Sequence, residues 1–190
     1  AVSGYVVTIT APTNNTSATL NGKVTITAGE LSATVAVSQL SDAGVEEIIL
    51  TLPTTESDKN TSYTASWTAR LNTYSWSMYG WNNNNNSTDW GHIRGGSKNQ
   101  AMIAYIATDF AVPYAVSSVD LNVTSVDISK VNSTKLIVAR DAEFTDIVET
   151  VNVTIAVGTN SFVVTNPAEG YYYKLEFDLL KASSNGFVRI

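Results

Sequence analysis

The stretch "YYYKLEFDLL", residues 171–180, alternates strictly between two sets of side chains. One set is largely apolar and consists of Tyr171, Tyr173, Leu175, Phe177 and Leu179. The other set is mostly polar and consists of Tyr172, Lys174, Glu176 and Asp178. Successive side chains of a strand point to opposite faces, so this stretch predicts a strand with one packed face and one solvated face. Such strands are typical of the antiparallel sheets of β-sandwiches.

Short segments of the same kind fill most of the chain, and turn residues separate them. Examples are "KVTIT" (23–27), "LSATVAV" (31–37), "KLIVAR" (135–140) and "SFVVT" (161–165). Asn21-Gly22 predicts a type I′ hairpin turn before "KVTIT", because this dipeptide tolerates positive φ angles. Ala28-Gly29-Glu30 predicts a second turn, which joins "KVTIT" to "LSATVAV". The run "AMIAYIATDF" (101–110) fits a short helix about as well as a strand.

The spacing of these segments predicts an all-β protein built from antiparallel β-sandwiches. The run "TTESDKNTS" (54–62) is polar and has no apolar anchor, which indicates a boundary between two domains. We therefore expect a small immunoglobulin-like domain at residues 1–58 and a larger jelly-roll-like sandwich at residues 59–190. A single continuous sandwich is the alternative.

Composition and charge argue against several classes of function. The net charge is −6 and the 11 Lys and Arg residues form no run, whereas nucleic acids and anionic membrane surfaces attract clustered positive charge. No apolar segment reaches the length of a membrane span. The chain contains no cysteine, which excludes disulfides and thiolate metal sites. We expect no nucleic-acid partner, no membrane insertion and no cofactor.

The C-terminal part of the sequence is similar to a known class of module. The matching features are "WGHIRGGSKNQAMIAYIATDF" (90–110), "STKLIVARDAEFT" (133–145), "TNPAEGYYYKLEFD" (165–178) and "SSNGFVRI" (183–190). They resemble the β-sandwich modules that are repeated in secreted and surface proteins of gut-type bacteria. The resemblance implies a jelly-roll or carbohydrate-binding-like fold, an extracellular or cell-surface location and a non-catalytic role. It carries over no binding residue, and residues 1–58 lie outside it.

Residues 75–98, "SWSMYGWNNNNNSTDWGHIRGGSK", hold three of the four tryptophans around five consecutive asparagines. Aromatic rings stack on the C–H faces of sugars, and Asn, Asp and Arg supply directed hydrogen bonds. The candidate ligand-binding residues are Tyr79, Trp81, Asn83, Asn85, Asp89, Trp90 and Arg94. The pattern favours a core position for Trp67 and Trp76. Trp81 and Trp90, which bracket the asparagines, fit a core position and an exposed position equally.

Side chains that could perform catalysis are sparse in this sequence. His92 is the only histidine, and no serine lies in a G-x-S-x-G turn, so no catalytic triad is predicted. A structural role for His92 is the simpler interpretation. We therefore expect that the protein is not an enzyme.

Carboxylates offer two further alternatives. Asp89 or Asp109 could form a glycosidase pair with Glu143 or Glu149, and an oxygen-rich loop that could hold calcium contains Asp141, Glu143 and Asp146. Acidic groups on a sandwich surface are commonly solvated, and this explains both sets more simply. We expect no metal site.

Two functions fit these observations. The first is a non-catalytic surface or adhesion protein whose aromatic, Asn-rich loop binds a glycan or cell-surface polysaccharide outside the cell. The alternative is a structural subunit of an extracellular filament or of a phage particle, as a capsid or tail decoration. Its loops and terminal strands would then contact further copies or other structural proteins. Both hypotheses place the function on the loop between Trp81 and Trp90.

Overall fold

The computed structural model describes residues 20–39, 47–50, 52, 58–83 and 92–190. The chain divides into two compact units, residues 1–48 and residues 49–190. The boundary between these units therefore lies before the one that the sequence predicts, which follows residue 58. The assignment of the two parts to an immunoglobulin-like and a jelly-roll-like fold stays a prediction.

The described residues form fourteen β-strands, one 3₁₀ turn at Ile128–Lys130 and no α-helix. The strands are β1 Leu20–Ala28, β2 Leu31–Gln39, β3 Ser66–Leu71, β4 Tyr74–Tyr79, β5 Trp81–Asn82, β6 Arg94–Gly95, β7 Met102–Thr108, β8 Ser118–Val123, β9 Ser125–Val126, β10 Val131–Ala139, β11 Ile147–Asn152, β12 Gly158–Val163, β13 Tyr172–Leu179 and β14 Val188–Arg189. Their pairings are antiparallel. The predicted all-β class is confirmed. Within the described ranges no helix has the length and apolar character needed to cross a membrane.

In the first unit, β1 and β2 pair along their whole length as one hairpin. Gly29, at φ 63°, lies in the turn between them, and the predicted turn at residues 28–30 is confirmed. The predicted hairpin turn at Asn21-Gly22 is wrong, because β1 runs straight through this dipeptide. Asn21 pairs with Ser38 and accepts a hydrogen bond from its hydroxyl at 2.6 Å.

The two faces of this hairpin differ in character. The register places Leu20, Val24, Ile26, Leu31, Ala33, Val35 and Val37 on one face. Polar side chains such as those of Lys23, Thr25 and Thr34 occupy the other. Most of these apolar side chains are nevertheless exposed, 78% for Leu31 and 52% for Val35, and Val24 is half-buried. The alternation of the sequence therefore predicts which face of the hairpin these side chains occupy, but it does not predict that they are buried.

The second unit contains a six-stranded sheet with the strand order β11-β10-β13-β7-β4-β3. β13 lies inside this sheet, between β10 and β7. Its inward side chains Tyr173, Leu175, Phe177 and Leu179 are buried, as the alternation of residues 171–180 predicts. The run 101–110 forms β7, so the strand interpretation is right and the helix interpretation is wrong.

A four-stranded sheet with the order β5-β6-β14-β9 and a two-stranded sheet of β12 and β8 complete the second unit. Only Thr124 separates β8 from β9. The four-stranded sheet contacts the six-stranded sheet where the ring of Trp81 in β5 meets the ring of Phe177 in β13, with centroids 5.0 Å apart.

The core of the second unit is built from strands of these sheets. Its buried residues include Trp67, Trp76, Met78, Trp81, Ile93, Leu136, Phe162, Phe177 and Val188. The predicted core positions of Trp67 and Trp76 are confirmed. Full burial of a large apolar side chain contributes about 1.5–3 kcal/mol.

Gly80 forms the corner at which the chain passes from β4 to β5 in the other sheet. Its φ of 82° lies in the left-handed region, which glycine adopts without steric cost. A Cβ at this position would stand 2.6 Å from Met102 Cε and 2.7 Å from Ala104 Cβ. Both the conformation and the space therefore require glycine.

Candidate functional site

Trp81, the first residue of β5, is completely buried. Its ring packs edge-on against Phe177 at an interplanar angle of 81°, and its Nε1 donates to the carbonyl of Tyr105 at 3.1 Å. Its carbonyl accepts hydrogen bonds from Trp67 Nε1 and Asn60 Nδ2. The prediction that Trp81 offers a ring face to a sugar is wrong, because both the ring and its polar atom belong to the core.

Asn83 is also buried, at 4% exposure. Its Oδ1 accepts from the Asn60 backbone N–H at 2.8 Å, and its Nδ2 donates to the Asp58 carbonyl at 2.7 Å. The amide therefore binds the segment that precedes β3. The structure assigns Asn83 a structural role in place of the predicted ligand contact.

Asn85, Asp89 and Trp90 lie outside the described residues, which stop at Asn83 and resume at His92. Their predicted role in ligand binding stays a prediction. The structure describes the residues on either side of the asparagine-rich loop, Asn83 and His92.

Tyr79 remains as an accessible aromatic among the predicted site residues. It is half-buried and pairs across the strands with Tyr105 of β7. The two rings stack with centroids 5.8 Å apart and an interplanar angle of 23°. Their chain neighbours Met78, Ala104 and Ile106 are buried, so the Tyr79–Tyr105 pair lies on the opposite, outer face of the six-stranded sheet.

Short and charged side chains surround the Tyr79–Tyr105 pair. On one side, Tyr79 pairs with the exposed Ser66 of β3, which is too short to cover the ring. On the other side, Tyr105 pairs with Glu176 of β13, and Glu176 pairs with Lys135 of β10. Lys135 Nζ lies 2.7 Å from Glu176 Oε1, and Lys174 Nζ lies 3.6 Å from Glu176 Oε2.

These residues form a row across the sheet. In this row the aromatic pair lies beside a negatively charged acceptor, Glu176, and a positively charged donor, Lys135. Sugar sites combine these two features, because rings stack on C–H faces while polar groups bind hydroxyls. Within the row the negative charge of Glu176 is matched by the positive charge of Lys135, so the row suits an uncharged polyhydroxylated ligand.

Arg94 lies in β6 on the other sheet and is half-buried. Its Nε donates to His92 Nε2 at 2.9 Å, so the proton of the neutral imidazole lies on Nδ1. Arg94 pairs in register with Asn82 of β5 and Arg189 of β14. His92 thus orients Arg94, which agrees with a structural role for the histidine.

The Tyr63 hydroxyl lies near Arg94 and Arg189. Burial raises the pKa of the Tyr63 hydroxyl above its ordinary value, and the nearby charges of Arg94 and Arg189 partly oppose the rise. The hydroxyl therefore stays protonated, and able to donate, throughout the neutral pH range.

Three of the carboxylates weighed as catalytic or calcium-binding groups, Asp109, Glu149 and Asp141, serve local structure. Asp109 accepts from Ser77 Oγ at 2.5 Å, and Glu149 accepts from the backbone N–H of Thr165 at 3.0 Å. Asp141 accepts from the hydroxyl and backbone N–H of Thr145 and from the Asp146 N–H.

These bonds, chiefly the one from the Thr145 hydroxyl, hold the pKa of Asp141 below its ordinary value. The Asp141 carboxylate therefore closes its own turn. Among the described residues, no three His, Cys, Asp or Glu side chains are placed to hold one metal ion.

Sequence reasoning missed Tyr105, Arg189 and Tyr63. The alternation of residues 101–110 puts Tyr105 opposite Ile106, and this was the available signal for an outward ring. The partners of Tyr105 and Arg189 depend on which strands pair and in which register, which the sequence does not state.

No protein-family model, curated protein or solved structure matches the chain.

Proposed function

We propose that the protein is a non-catalytic surface or adhesion protein that binds carbohydrate on the outer face of its six-stranded sheet. In this proposal the second unit is a jelly-roll-like sandwich, the first is immunoglobulin-like, and the protein acts outside the cell. Its resemblance to surface modules of gut-type bacteria belongs to the same proposal.

The Tyr79–Tyr105 pair is the observation that carries this proposal. A half-buried pair of rings is held rigid by its own stacking and by the strands beneath it, so little conformational entropy is lost when a ligand binds. The open side of Tyr79 faces Ser66, which leaves room for a sugar ring beside the aromatic face.

The neighbouring charges indicate the type of glycan. Glu176 and Lys135 form a close ion pair next to Tyr105, so the row offers acceptors and donors without an excess of either charge. We expect a neutral glycan, whose hydroxyl groups can both donate and accept.

A glycan array with the wild type and with Tyr79→Ala and Tyr105→Ala variants tests this function. Each variant should lose about fivefold in affinity, which corresponds to an aromatic contact of ~1 kcal/mol. Tyr114→Ala is the matched control, because Tyr114 is exposed and lies outside the strands. Absence of binding by the wild type, or equal losses for Tyr79 and Tyr114, would refute the proposal.

The hairpin of the first unit supports the alternative function, a structural subunit of a filament or phage particle. Its exposed apolar face, defined by Leu20, Ile26, Leu31, Val35 and Val37, is the kind of surface that mediates protein–protein contact. Among the described residues of this unit the sheet has two strands. A two-stranded hairpin is marginally stable, so a covering partner would also stabilise it.

Light scattering and electron microscopy test the alternative. The wild type should associate with itself, and a Leu31→Lys, Val35→Lys double variant should not. Thr25→Lys, Thr34→Lys is the matched control because these side chains lie on the polar face. A wild type that stays a monodisperse monomer at high concentration would eliminate self-assembly.

A further inference from the structure

Phe144, in the turn that joins β10 to β11, has a left-handed backbone conformation with a φ of 57°. Among the described residues other than glycine, Asn72 is the only other one with a positive φ. Asparagine tolerates this conformation, whereas a bulky side chain rarely adopts it, because its Cβ crowds the following carbonyl oxygen. Phenylalanine is therefore unfavourable at this position on conformational grounds.

The surrounding turn holds Phe144 in this conformation. Its backbone N–H donates to the Asp141 carbonyl at 3.3 Å. The Asp141 carboxylate accepts from the backbone N–H groups of Thr145 at 2.8 Å and Asp146 at 3.0 Å. Arg140 closes the turn through a backbone hydrogen bond and an ion pair to Asp146, both at 3.0 Å. Unfavourable conformations persist where neighbouring contacts impose them, and they concentrate at functional sites.

The Phe144 ring lies on the outer face of the six-stranded sheet. Lys174 Nζ is 4.7 Å from the ring centroid, and Lys174 points outward because its neighbours Tyr173 and Leu175 are buried on the inner side. Phe144 is half-buried, so part of the ring is open to solvent. A cation–π contact at an accessible site contributes no more than the left-handed conformation costs. The contact with Lys174 therefore does not by itself account for a phenylalanine here.

Lys174 and Glu176 connect Phe144 to the Tyr79–Tyr105 pair. Lys174 Nζ lies 3.6 Å from Glu176 Oε2, and Glu176 is the register partner of Tyr105. The strand of Tyr79, β4, lies two strands away from β13, which is about 10 Å at the usual separation of neighbouring strands. Because Phe144 reaches Lys174 from the opposite side of β13, the distance from Tyr79 to Phe144 exceeds the width of one sugar ring.

We propose that the Tyr79–Tyr105 pair and Phe144 are the two ends of one extended binding surface, which takes a linear neutral oligosaccharide. This inference rests on the proposed carbohydrate function and adds a second aromatic subsite to it. One sugar residue stacks on the tyrosine pair and another contacts the Phe144 ring. Lys174 and Glu176 bind the hydroxyl groups between them.

The dependence of affinity on glycan length tests the extended surface. The probes are neutral glucan, mannan, galactan and xylan oligosaccharides of one to six residues, first on an array and then by calorimetry with the full chain. The hexasaccharide of the bound series should bind about fivefold or more tighter than its disaccharide, because it gains a second aromatic contact. Equal affinities would overturn the extended surface and leave the proposed function standing. No binding to any probe would refute the proposed function itself.

Phe144→Asn separates the second subsite from the first. Asparagine tolerates the backbone conformation of residue 144, as it does at Asn72, and it removes the ring. The variant should lose about fivefold in affinity for the hexasaccharide and keep the wild-type affinity for the disaccharide. Tyr79→Ala should weaken both. Wild-type affinity of Phe144→Asn for the hexasaccharide overturns the proposal.

Phe144→Tyr and Ala142→Asn are the matched controls. The first keeps an aromatic ring, and the second places an asparagine at an exposed position of the same turn. Both should keep the wild-type preference for the hexasaccharide. A loss for Ala142→Asn equal to that for Phe144→Asn would attribute the effect to the turn and overturn the proposal.

Thermal unfolding without glycan gives a second readout. Phe144→Asn should raise the thermal midpoint by a few degrees, because the conformational cost of phenylalanine is removed. A structural role of the ring would do the opposite. A lowered midpoint together with equal losses for the disaccharide and the hexasaccharide would assign the ring to packing and overturn the proposal.

Discussion

Trp81 and Tyr79 are two residues apart and have opposite environments. Tyr79 stands on the outer face of the six-stranded sheet, whereas Trp81 is completely buried and reaches Phe177 from the other sheet. Tyr105 connects the two regions, because its ring stacks on Tyr79 and its carbonyl accepts from Trp81 Nε1. The alternation of inward and outward side chains holds within a strand. It does not continue past Gly80, where the chain turns from one sheet into the other.

The largest expected difference between these regions is in stability. Trp81→Ala should lower the free energy of unfolding by about 3–5 kcal/mol, because it opens a cavity and leaves the Tyr105 carbonyl without its donor. Tyr79→Ala removes a half-exposed ring and should cost much less. Urea unfolding followed by far-UV circular dichroism measures both, and similar losses would contradict the assignment of Trp81 to the core.

A smaller effect is expected from Gly95, which faces the Trp81 ring. An added Cβ would stand 2.6 Å from Trp81 Cζ3, so Gly95→Ala should destabilise the protein by about 1–3 kcal/mol through overpacking. Gly22→Ala is the matched control, since its Cβ would meet Val37 at an ordinary 3.6 Å. In the Trp81→Ala background the Gly95→Ala penalty should largely disappear, and full additivity would argue against the contact.

The third expected effect concerns alkaline stability. Burial raises the pKa of Tyr173 to about 12 from an ordinary 10.0. The backbone of Val116 lies close enough to oppose the rise slightly without forming a hydrogen bond of good geometry.

Because the neutral form is favoured in the folded chain, the stabilisation is complete below pH 10 and is lost as the pH rises through 12. Tyr173→Phe should move the alkaline unfolding midpoint upward and change stability at pH 7 little. A midpoint that stays in place would show that another group controls alkaline unfolding.

The smallest expected effect lies at the surface, at the ion pair of Asp58 and Arg70. Their atoms are 2.8 Å apart but both side chains are about half exposed. The hydrogen bond from Arg70 holds the pKa of Asp58 below its ordinary 3.8.

The stabilisation from Asp58 is therefore present above pH 3.8 and is lost as the pH falls through the lowered pKa. Asp58→Asn should lower the thermal midpoint slightly at pH 7 and not at pH 2, as scanning calorimetry would show. If Asp58→Asn lowered the thermal midpoint more at pH 2 than at pH 7, the Asp58 carboxylate would not be the stabilising form.

The sequence predicts those parts of the fold that depend on neighbours within one strand. The alternation of residues 171–180 identifies β13 and its buried face, and Trp67 and Trp76 lie in the core as expected. At Asn21-Gly22, turn propensity is outweighed by continuous pairing with β2. At Trp81, the direction of the side chain depends on a corner between sheets, which local periodicity does not register.

The candidate site is less accessible to sequence reasoning, because its neighbours are far apart in the chain. Tyr79 and Arg94 were identified from an aromatic and polar composition. Their partners Tyr105 and Arg189 join them through strand register, and Glu176 reaches the Tyr79–Tyr105 pair in the same way. Propensity and periodicity describe single strands and do not specify which strands become neighbours.

The position of β14 has a consequence for biosynthesis. Residues 188 and 189 lie between β6 and β9, and Ile190 exchanges backbone hydrogen bonds with Ile93. The four-stranded sheet therefore stays incomplete until residue 190 has left the ribosome, although β5 and β6 emerge about a hundred residues earlier. At ~5–20 residues per second, Trp81 waits on the order of 5–20 s for the strand that closes its sheet. During that interval the nascent chain exposes the Trp81 ring, which is completely buried in the finished fold.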